Sequence, residues 1–196
     1  MNKANSTKMH ILNKSFELIY INGYQATSID KIIETTQVTK GAFYYHFKDK
    51  EKMGLSMIDE VLLPRLNRIL IQPILNKEKP LEIIFETIKN NLLRDADFDR
   101  RYGCPMNNLI QEMSPINEKF KIKLRGVIKK WKTALTQELD RAKELGHIDK
   151  DVNTASVADF IIVSYEGLRA TGKLDDDLTL YKSYLKQLKK YLESLK

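Results

Sequence analysis

Apolar residues recur along this chain at the three- and four-residue spacing that places side chains on one face of an α-helix. The first apolar stripe comprises Met9, Leu12, Phe16, Ile19 and Tyr20. Asn22-Gly23 follows it, where a glycine commonly ends a helix. Since no segment alternates between apolar and polar residues, the pattern predicts helices and no strands.

The first part of the chain carries the signals of three short helices and the start of a fourth. Thr27, in the segment TSID, is predicted to cap the second helix, with Asp30 in its first turn. Thr39 is predicted to cap a third helix that runs to about His46, and Asp49 to cap the fourth. These short, closely spaced helices predict a compact N-terminal module.

Longer helices follow, and prolines mark where most of them begin. Pro64 is expected to kink or stop the helix that runs through EKMGLSMIDEVLL. Pro80, Pro105 and Pro115 are predicted to open three more helices, the last of which spans 115–145 and is closed by Gly146. Two further helices are predicted at 153–170 and about 176–195. The fold class is therefore predicted as all-α, with a three-helix N-terminal module (1–52) and a larger C-terminal helical bundle domain (53–196).

The last two helices differ from the others in their apolar pattern. Apolar or small residues surround the helix at 153–170 on nearly all sides, which is typical of a helix that is buried on two sides. The final helix carries a regular seam of leucines and tyrosines. This helix could simply dock on its own domain, but we favour a self-complementary four-helix interface in a homodimer. The predicted interface residues are Phe160, Ile161, Val163, Leu178, Tyr181, Leu185, Leu188 and Leu192.

Composition adds only weak constraints. Lys and Arg outnumber Asp and Glu by 33 to 26, so the chain carries a formal charge of +7, which suits a polyanionic partner without requiring one. Cys104 is the only cysteine, which excludes an intrachain disulfide. The first residues lack the apolar stretch of a signal peptide, and no uninterrupted apolar run is long enough for a membrane span. A cytoplasmic protein without membrane contact is expected.

The segment AFYYHF places aromatic rings at five consecutive positions. On a helix, Phe43 and Phe47 share one face and are predicted to be core residues. Gly41, Tyr44 and Tyr45 fall on the opposite face. The tyrosine hydroxyls there would remain available as hydrogen-bond donors, and the glycine would let another molecule approach closely.

Lysines surround this outward face, at positions 40, 48, 50 and 52. Lys50 would lie early in the fourth helix, where a cation opposes the helix dipole unless an anion also binds. A short capped helix, a turn and a second capped helix with an outward Gly/Tyr/Lys face is the sequence form of a helix-turn-helix. The second helix of that motif enters the major groove of DNA.

The segment TSIDKIIETTQVTKGAFYYHFKDKEKM resembles the signature of the tetracycline-repressor (TetR/AcrR-like) family of bacterial transcriptional regulators. The resemblance covers about residues 8–55, without a gap in spacing. It implies a helical ligand-binding and dimerisation domain, and a dimeric repressor that a small-molecule effector releases from a palindromic operator in double-stranded DNA. The family usually has glycine where this chain has Gln37, so we expect a different or strained geometry in the turn.

The resemblance also implies roles for individual residues. Thr27 would contact a phosphate at a helix start, and Lys50 would contact another phosphate. Thr39, Lys40 and Gly41 would form the groove-facing start of the recognition helix. The remaining predicted DNA contacts, to phosphates or base edges, are Tyr44, Tyr45 and His46.

Effector contacts can be suggested only from residue type. Met and aromatic residues on the central helices would suit an apolar or planar ligand, although each such residue is more often ordinary core. Cys104 follows Gly103, and thiol sensing occurs among family members with a Gly-Cys pair at this point. Cys104 is therefore a candidate electrophile or oxidant sensor, a core residue or a pocket residue. The candidate ligand-binding residues are Phe85, Phe98, Cys104, Met106, Met113, Trp131 and Tyr165.

An enzyme and a ligand-free DNA binder are the alternative function classes. The three histidines, His10, His46 and His147, lie far apart, and no metal-ligand, nucleotide-binding or nucleophile motif occurs. We therefore expect no enzyme activity, no metal site and no cofactor. A constitutive architectural DNA binder without a ligand is the second alternative, but a C-terminal domain of this size exceeds what dimerisation alone requires.

Overall fold

The computed structural model describes residues 3–94 and 99–196, and all regular structure within these ranges is helical. The chain forms two compact units. The first unit comprises Met1–Arg65 and Pro105–Gly126, and the second comprises Leu66–Cys104 and Val127–Lys196. The predicted all-α class is confirmed. The sequence predicted a division at residue 52, whereas the first unit extends to Arg65 and also includes a later segment of the chain.

Four helices begin the first unit: α1 (Lys3–Asn22), α2 (Ile29–Thr36), α3 (Lys40–His46) and α4 (Lys50–Met57). Helix α1 packs against α2 and α4. Phe43 and Phe47 are buried, as predicted from their shared helix face, and they join Leu12, Ile32 and Met53 in the core of this unit. This core holds α2 and α3 in the arrangement of a helix-turn-helix.

Side chains cap these short helices. The Thr39 side chain accepts a hydrogen bond from the backbone N–H of Ala42, and Asp49 accepts one from Lys52, which confirms both predicted caps. The cap predicted at Thr27 is wrong. Ser28 is the residue before α2, and its Oγ accepts from the N–H of Lys31 at 3.1 Å. Thr27 and Ser28 are adjacent hydroxyl residues, and only the second has its side chain at the helix start.

The chain stays helical beyond α4 and past Pro64. A π-helical segment, Ile58–Leu62, is followed by α5 (Leu63–Leu66), a second π-helical segment (Asn67–Ile71) and a 3₁₀ turn (Gln72–Ile74). The N–H of Leu63 bonds to the carbonyl of Ile58, five residues back. Pro64 therefore does not stop the helix, and the wider π pattern accompanies the residue that lacks an N–H.

Prolines open two of the three predicted later helices. Pro80 begins α6 (Pro80–Arg94) and Pro105 begins α7 (Pro105–Met113). The third helix, α8, begins at Glu118 and ends at Glu144. Pro115 lies in the preceding turn, and Asn117 Oδ1 accepts from the N–H of Phe120, so asparagine rather than proline marks this helix start.

Helices α9 (Thr154–Thr171) and α10 (Thr179–Glu193) complete the second unit. The regular seam of α10 is buried within the chain itself, and Tyr181, Leu185, Leu188 and Leu192 are core residues together with Ile161 of α9. This packing corrects the preferred interpretation of these five side chains, because they are already covered and cannot form a partner surface. Leu178 is half-buried and directly precedes α10.

Candidate nucleic-acid interface

Helix α3 presents two large aromatic side chains to solvent. Tyr45 is 78% exposed and Tyr44 is 45% exposed. Thr39, Lys40 and Gly41 are also exposed at the start of the helix. A Cβ built at Gly41 would have only the hydroxyl of Thr39 nearby, at 4.0 Å, so the surface beside the glycine is open to an approaching molecule. The exposure of Gly41, Tyr44 and Tyr45 agrees with the outward face that the helix pattern predicted.

The exposed rings are supported by rings beneath them. The Tyr44 ring meets the buried Phe43 ring edge-on at 5.4 Å between centroids, and the Tyr45 ring meets His46 at 4.9 Å. His46 is half-buried and lies 6.2 Å from the ring of Phe47. The buried Phe43 ring thus limits the motion of the Tyr44 ring, which lowers the entropy that Tyr44 would lose on binding.

Lys50 is held in place by the turn between α1 and α2. Its Nζ donates to the carbonyl of Gln25 at 3.3 Å and lies 4.4 Å from the centroid of the Tyr24 ring. Burial lowers the pKa of the Lys50 ammonium, and the negative charge of Glu112 opposes that shift. The ammonium therefore has a defined position, and since it has three N–H donors, it can still donate to another acceptor.

Thr27 does not lie on the exposed face. It is only 2% exposed, and its hydroxyl donates to the carbonyl of Gly23 at 2.7 Å. A hydroxyl that is buried and already donating cannot reach a phosphate unless the turn opens. The implied phosphate contact of Thr27 is therefore not supported, and the residue instead braces the turn before α2.

Gln37 ends α2 in the left-handed conformation, with φ 55° and ψ 21°. This is the conformation that glycine adopts at little cost and that a side chain with a Cβ disfavours by about 1–2 kcal/mol. The strained geometry expected from the sequence is therefore present, and the turn retains the backbone form that glycine would have favoured.

Glu112 is a residue of this region that the sequence pattern did not reveal. Its carboxylate oxygens accept from the N–H groups of Tyr24 at 2.8 Å and Gln25 at 2.7 Å. The partners are almost 90 positions apart in sequence, and a single glutamate near the end of α7 has no distinguishing motif. Only the folded chain brings this carboxylate to the turn that holds Lys50.

The candidate effector residues within the described ranges belong to both units. Trp131 and Tyr165 pack edge-to-face at 5.2 Å in the second unit. Phe85 is half-buried and lines a groove of about 330 Å³ between α6 and α10. Met106 and Met113 are buried in the first unit, and Phe98 lies outside the described residues. Their proposed contact with an effector stays a prediction.

A hydrogen-bonded polar cluster surrounds Tyr165 inside the second unit. The Tyr165 hydroxyl donates to Asn91 Oδ1, and Arg169 donates to Asn91, to the Tyr165 hydroxyl and to the carbonyl of Gly103. All of these side chains are buried. Charged groups are rarely buried without a structural or functional reason, so the buried Arg169 makes this cluster a notable feature of the second unit.

Cys104 lies at the edge of the same cluster and is buried. Its Sγ donates to Glu166 Oε1 at 3.4 Å, and burial raises the pKa of Glu166 to about 7. Reactive thiols usually occupy exposed, electropositive surroundings. A buried cysteine bonded to a carboxylate does not match that description, so these surroundings favour the core interpretation over the sensor.

Helix α9 exposes apolar side chains of a different kind. Phe160 is 46% exposed and Val163 is 70% exposed. Gly167, one turn further on, is exposed, and a Cβ there would meet nothing within 4 Å. Phe160 and Val163 are predicted dimer residues that stay exposed, and with Gly167 they form the strip Phe160–Val163–Gly167.

Two family sequence models match the chain. The model for "Bacterial regulatory proteins, tetR family" matches residues 11–57, and the model for "Tetracyclin repressor-like, C-terminal domain" matches residues 82–188. The first match contains the whole α2–turn–α3 region and Lys50. The second covers more than half of the chain.

Relatives with similar sequences and solved structures agree with these matches. An HTH-type transcriptional regulator from the lacX 3′ region of Lactococcus lactis subsp. lactis is 30% identical, over 97% of this chain and 95% of the relative. The transcriptional repressor DhaR of Mycobacterium sp. strain GP1 is 23% identical over 82% of this chain and 79% of its own length. A TetR-family regulator from Cytophaga hutchinsonii shares the fold, with a TM-score of 0.89 at 19% identity, over 100% of this chain and 98% of the other.

The fold, the exposed face of α3 and the sequence matches define a helix-turn-helix transcriptional regulator. The chain belongs to the TetR family of bacterial regulatory proteins. Among the helices of the described ranges, none combines the length and the apolar character needed to cross a membrane.

Proposed function

We propose that this protein is a dimeric repressor that binds a palindromic operator in double-stranded DNA and is released by a small-molecule effector. The observation that carries the proposal is the exposed Gly/Tyr/Lys face of α3, supported by buried rings beneath it. Sequence would be recognised through this face, because an α-helix fits the major groove and its side chains can reach base edges. The residues proposed to contact DNA are Thr39, Lys40, Gly41, Tyr44, Tyr45, His46 and Lys50.

The exposed strip of α9 is proposed to join two copies of the chain. Phe160 and Val163 would be covered by the same residues of the partner, since a two-fold interface pairs one surface with itself. The open space beside Gly167 would allow the two backbones to approach. Two recognition helices would then reach successive major grooves, about 34–36 Å apart or a multiple of that distance.

Residues 1–52 are proposed to bind DNA and residues 53–196 to bind the effector and dimerise. The family matches at 11–57 and 82–188 support this assignment. Release would be a population shift, in which the effector favours a spacing of the recognition helices that misses the grooves. To move the equilibrium from almost all bound to almost all released, the effector must prefer the released state by about 5 kcal/mol.

DNA selection tests the first part of the proposal. Genomic fragments of the source organism are incubated with the purified protein, and the bound fragments are sequenced. We expect enrichment of an approximately palindromic sequence whose half-sites are one helical turn apart or a multiple of it. The matched control is Tyr45→Ala, which should enrich the same sequence less strongly. An equal, sequence-independent recovery of fragments by both proteins would contradict the proposed operator recognition.

A ligand screen tests the second part. Melting temperatures are recorded with a small-molecule library, and compounds that stabilise the protein are added to the protein–operator complex. We expect at least one stabilising compound that releases the DNA, and a change in Trp131 fluorescence if the ligand lies near that ring. If no compound stabilises the protein or releases the operator, a constitutive architectural DNA binder becomes the better description.

A further inference from the structure

The turn between α1 and α2 is fixed by a carboxylate from a distant part of the chain. Glu112 of α7 accepts two consecutive backbone N–H groups, from Tyr24 at 2.8 Å and Gln25 at 2.7 Å. Gly23 precedes them with φ +89°, and a Cβ there would lie 3.3 Å from Glu112 Oε2. The glycine therefore lets the carboxylate approach, and its conformation directs the following amides.

The same two residues hold Lys50. The carbonyl of Gln25 accepts from Lys50 Nζ at 3.3 Å, and the Tyr24 ring lies beneath the ammonium at 4.4 Å. The Tyr24 ring is in turn supported by the ring of Phe120, at 4.8 Å between centroids. The Gln25 carbonyl and the Tyr24 ring thus position the Lys50 ammonium, and the backbone N–H groups of the same two residues donate to Glu112.

We propose that Glu112 is a positioning residue for DNA binding: through the peptide groups of Tyr24 and Gln25, its carboxylate places Lys50 for a phosphate contact. This inference rests on the proposed DNA-binding function and adds α7 to the elements that control it. A displacement of α7 would remove Glu112 from the turn, and Lys50 would lose its defined position for the phosphate contact. Helix α7 itself carries no proposed DNA contact.

If Glu112 acts in this way, its replacement should change DNA affinity in the direction opposite to that expected from net charge alone. Removing a negative charge from a DNA-binding unit should strengthen the attraction to a polyanion. If Glu112 positions Lys50, its removal should instead weaken binding, because the lost phosphate contact outweighs the removed repulsion. The salt dependence should change as well, since each phosphate contact contributes about 0.9 to the slope of log affinity against log salt concentration.

The experiment measures the affinity for a fluorescein-labelled duplex of mixed sequence over a series of KCl concentrations. The variants are Glu112→Ala, Glu112→Gln, Lys50→Ala and the double variant Glu112→Ala with Lys50→Ala. Glu118→Gln is the matched control, because Glu118 is an exposed carboxylate of the same unit, near the start of α8. Melting temperatures of all variants are recorded in parallel.

We expect Lys50→Ala and Glu112→Ala each to weaken binding about threefold to tenfold and to reduce the salt slope by about 0.9. The double variant should be no weaker than Lys50→Ala, because both changes remove the same contact. Glu112→Gln, which keeps one acceptor oxygen, should fall between the unaltered protein and Glu112→Ala. Glu118→Gln should bind as well as the unaltered protein, or slightly better.

Tighter binding by the Glu112 variants would overturn the inference and make Glu112 a simple repelling charge. A lower melting temperature with an unchanged salt slope would also overturn it, since the residue would then only stabilise the fold. In both cases the unaltered protein still binds DNA, and the proposed function survives. Failure of the proposed function would appear differently, as an unaltered protein that binds no duplex at any salt concentration.

Discussion

Helices α3 and α9 both expose large apolar side chains, but the chemistry around them differs. On α3 the exposed residues are tyrosines with free phenolic ends, and lysines and a threonine lie beside them. On α9 the exposed large apolar side chains are Phe160 and Val163, which carry no polar atom, and the Tyr191 ring lies 4.3 Å from the Phe160 ring. Each helix also has an exposed glycine, Gly41 or Gly167, with open space beside it.

This difference indicates which partner each surface suits. Tyrosine hydroxyls and ammonium groups are solvated when no partner is bound, so their exposure on α3 costs the unbound protein little free energy. On binding, they can replace the water and counterions of a phosphate backbone. Apolar side chains gain free energy only when they are removed from water. The exposed strip of α9 therefore suits an apolar partner, such as the same strip of a second copy of the chain. Exposure of apolar area is therefore informative only when the polar atoms next to it are considered.

The largest expected effect is a charge placed on the α9 strip. Val163→Asp should disrupt dimerisation by about 3 kcal/mol or more, because an unpaired carboxylate would be buried between two copies. Thr133→Asp is the matched control, since it places the same charge on another exposed, β-branched helix residue. Sedimentation velocity should show monomers only for Val163→Asp. Equal dimerisation of both variants would remove α9 from the interface.

A smaller effect is expected on the α3 face. Tyr45→Ala should weaken operator binding by about 1–3 kcal/mol and leave the melting temperature unchanged, because the side chain is mostly exposed. Titration of labelled operator and a thermal melt measure the two quantities. Tyr45→Phe separates the ring from its hydroxyl. A large fall in melting temperature would show that Tyr45 supports the core, and that the exposed face has been assigned wrongly.

Alanine substitutions at the two exposed glycines test the two surfaces separately. Gly41→Ala and Gly167→Ala should each be neutral or raise the stability of the isolated chain, by up to about 1 kcal/mol, because alanine is the better helix former. Their effects on binding should separate: Gly41→Ala should weaken DNA binding, and Gly167→Ala should weaken dimerisation. Operator titration and sedimentation of both variants test this separation. A shared effect on both properties would mean that the two surfaces are coupled.

The smallest effect concerns the turn before α3. Gln37→Gly should stabilise the protein by about 0.5–1 kcal/mol, since relief of the left-handed strain exceeds the extra entropy of glycine in the unfolded chain. Asn76→Gly is the control: Asn76 has φ 57°, but asparagine tolerates this region better. Urea denaturation of both variants measures the difference. A loss of stability in Gln37→Gly would mean that the glutamine side chain contributes a contact of its own.

Local features predicted well those parts of the fold that depend on neighbouring residues. The Thr39 and Asp49 caps, the terminating Gly146 and the division of AFYYHF into core and surface all follow from spacing within one or two helical turns. The wrong predictions concern helix starts at which two nearby residues could each begin or cap the helix. Thr27 and Ser28 both could cap α2, and Pro115 and Asn117 both could open α8.

Other features could not be derived from spacing, because they depend on which distant segments meet. The seam of α10 has the same pattern whether it packs on its own domain or on a partner, and only the burial of Tyr181 and its neighbours distinguishes the two. Glu112 is an ordinary helix residue until the fold brings it to the amides of Tyr24 and Gln25. Helix periodicity and capping depend on interactions within one segment of the chain. Burial and hydrogen bonding between segments arise only when the whole chain has packed.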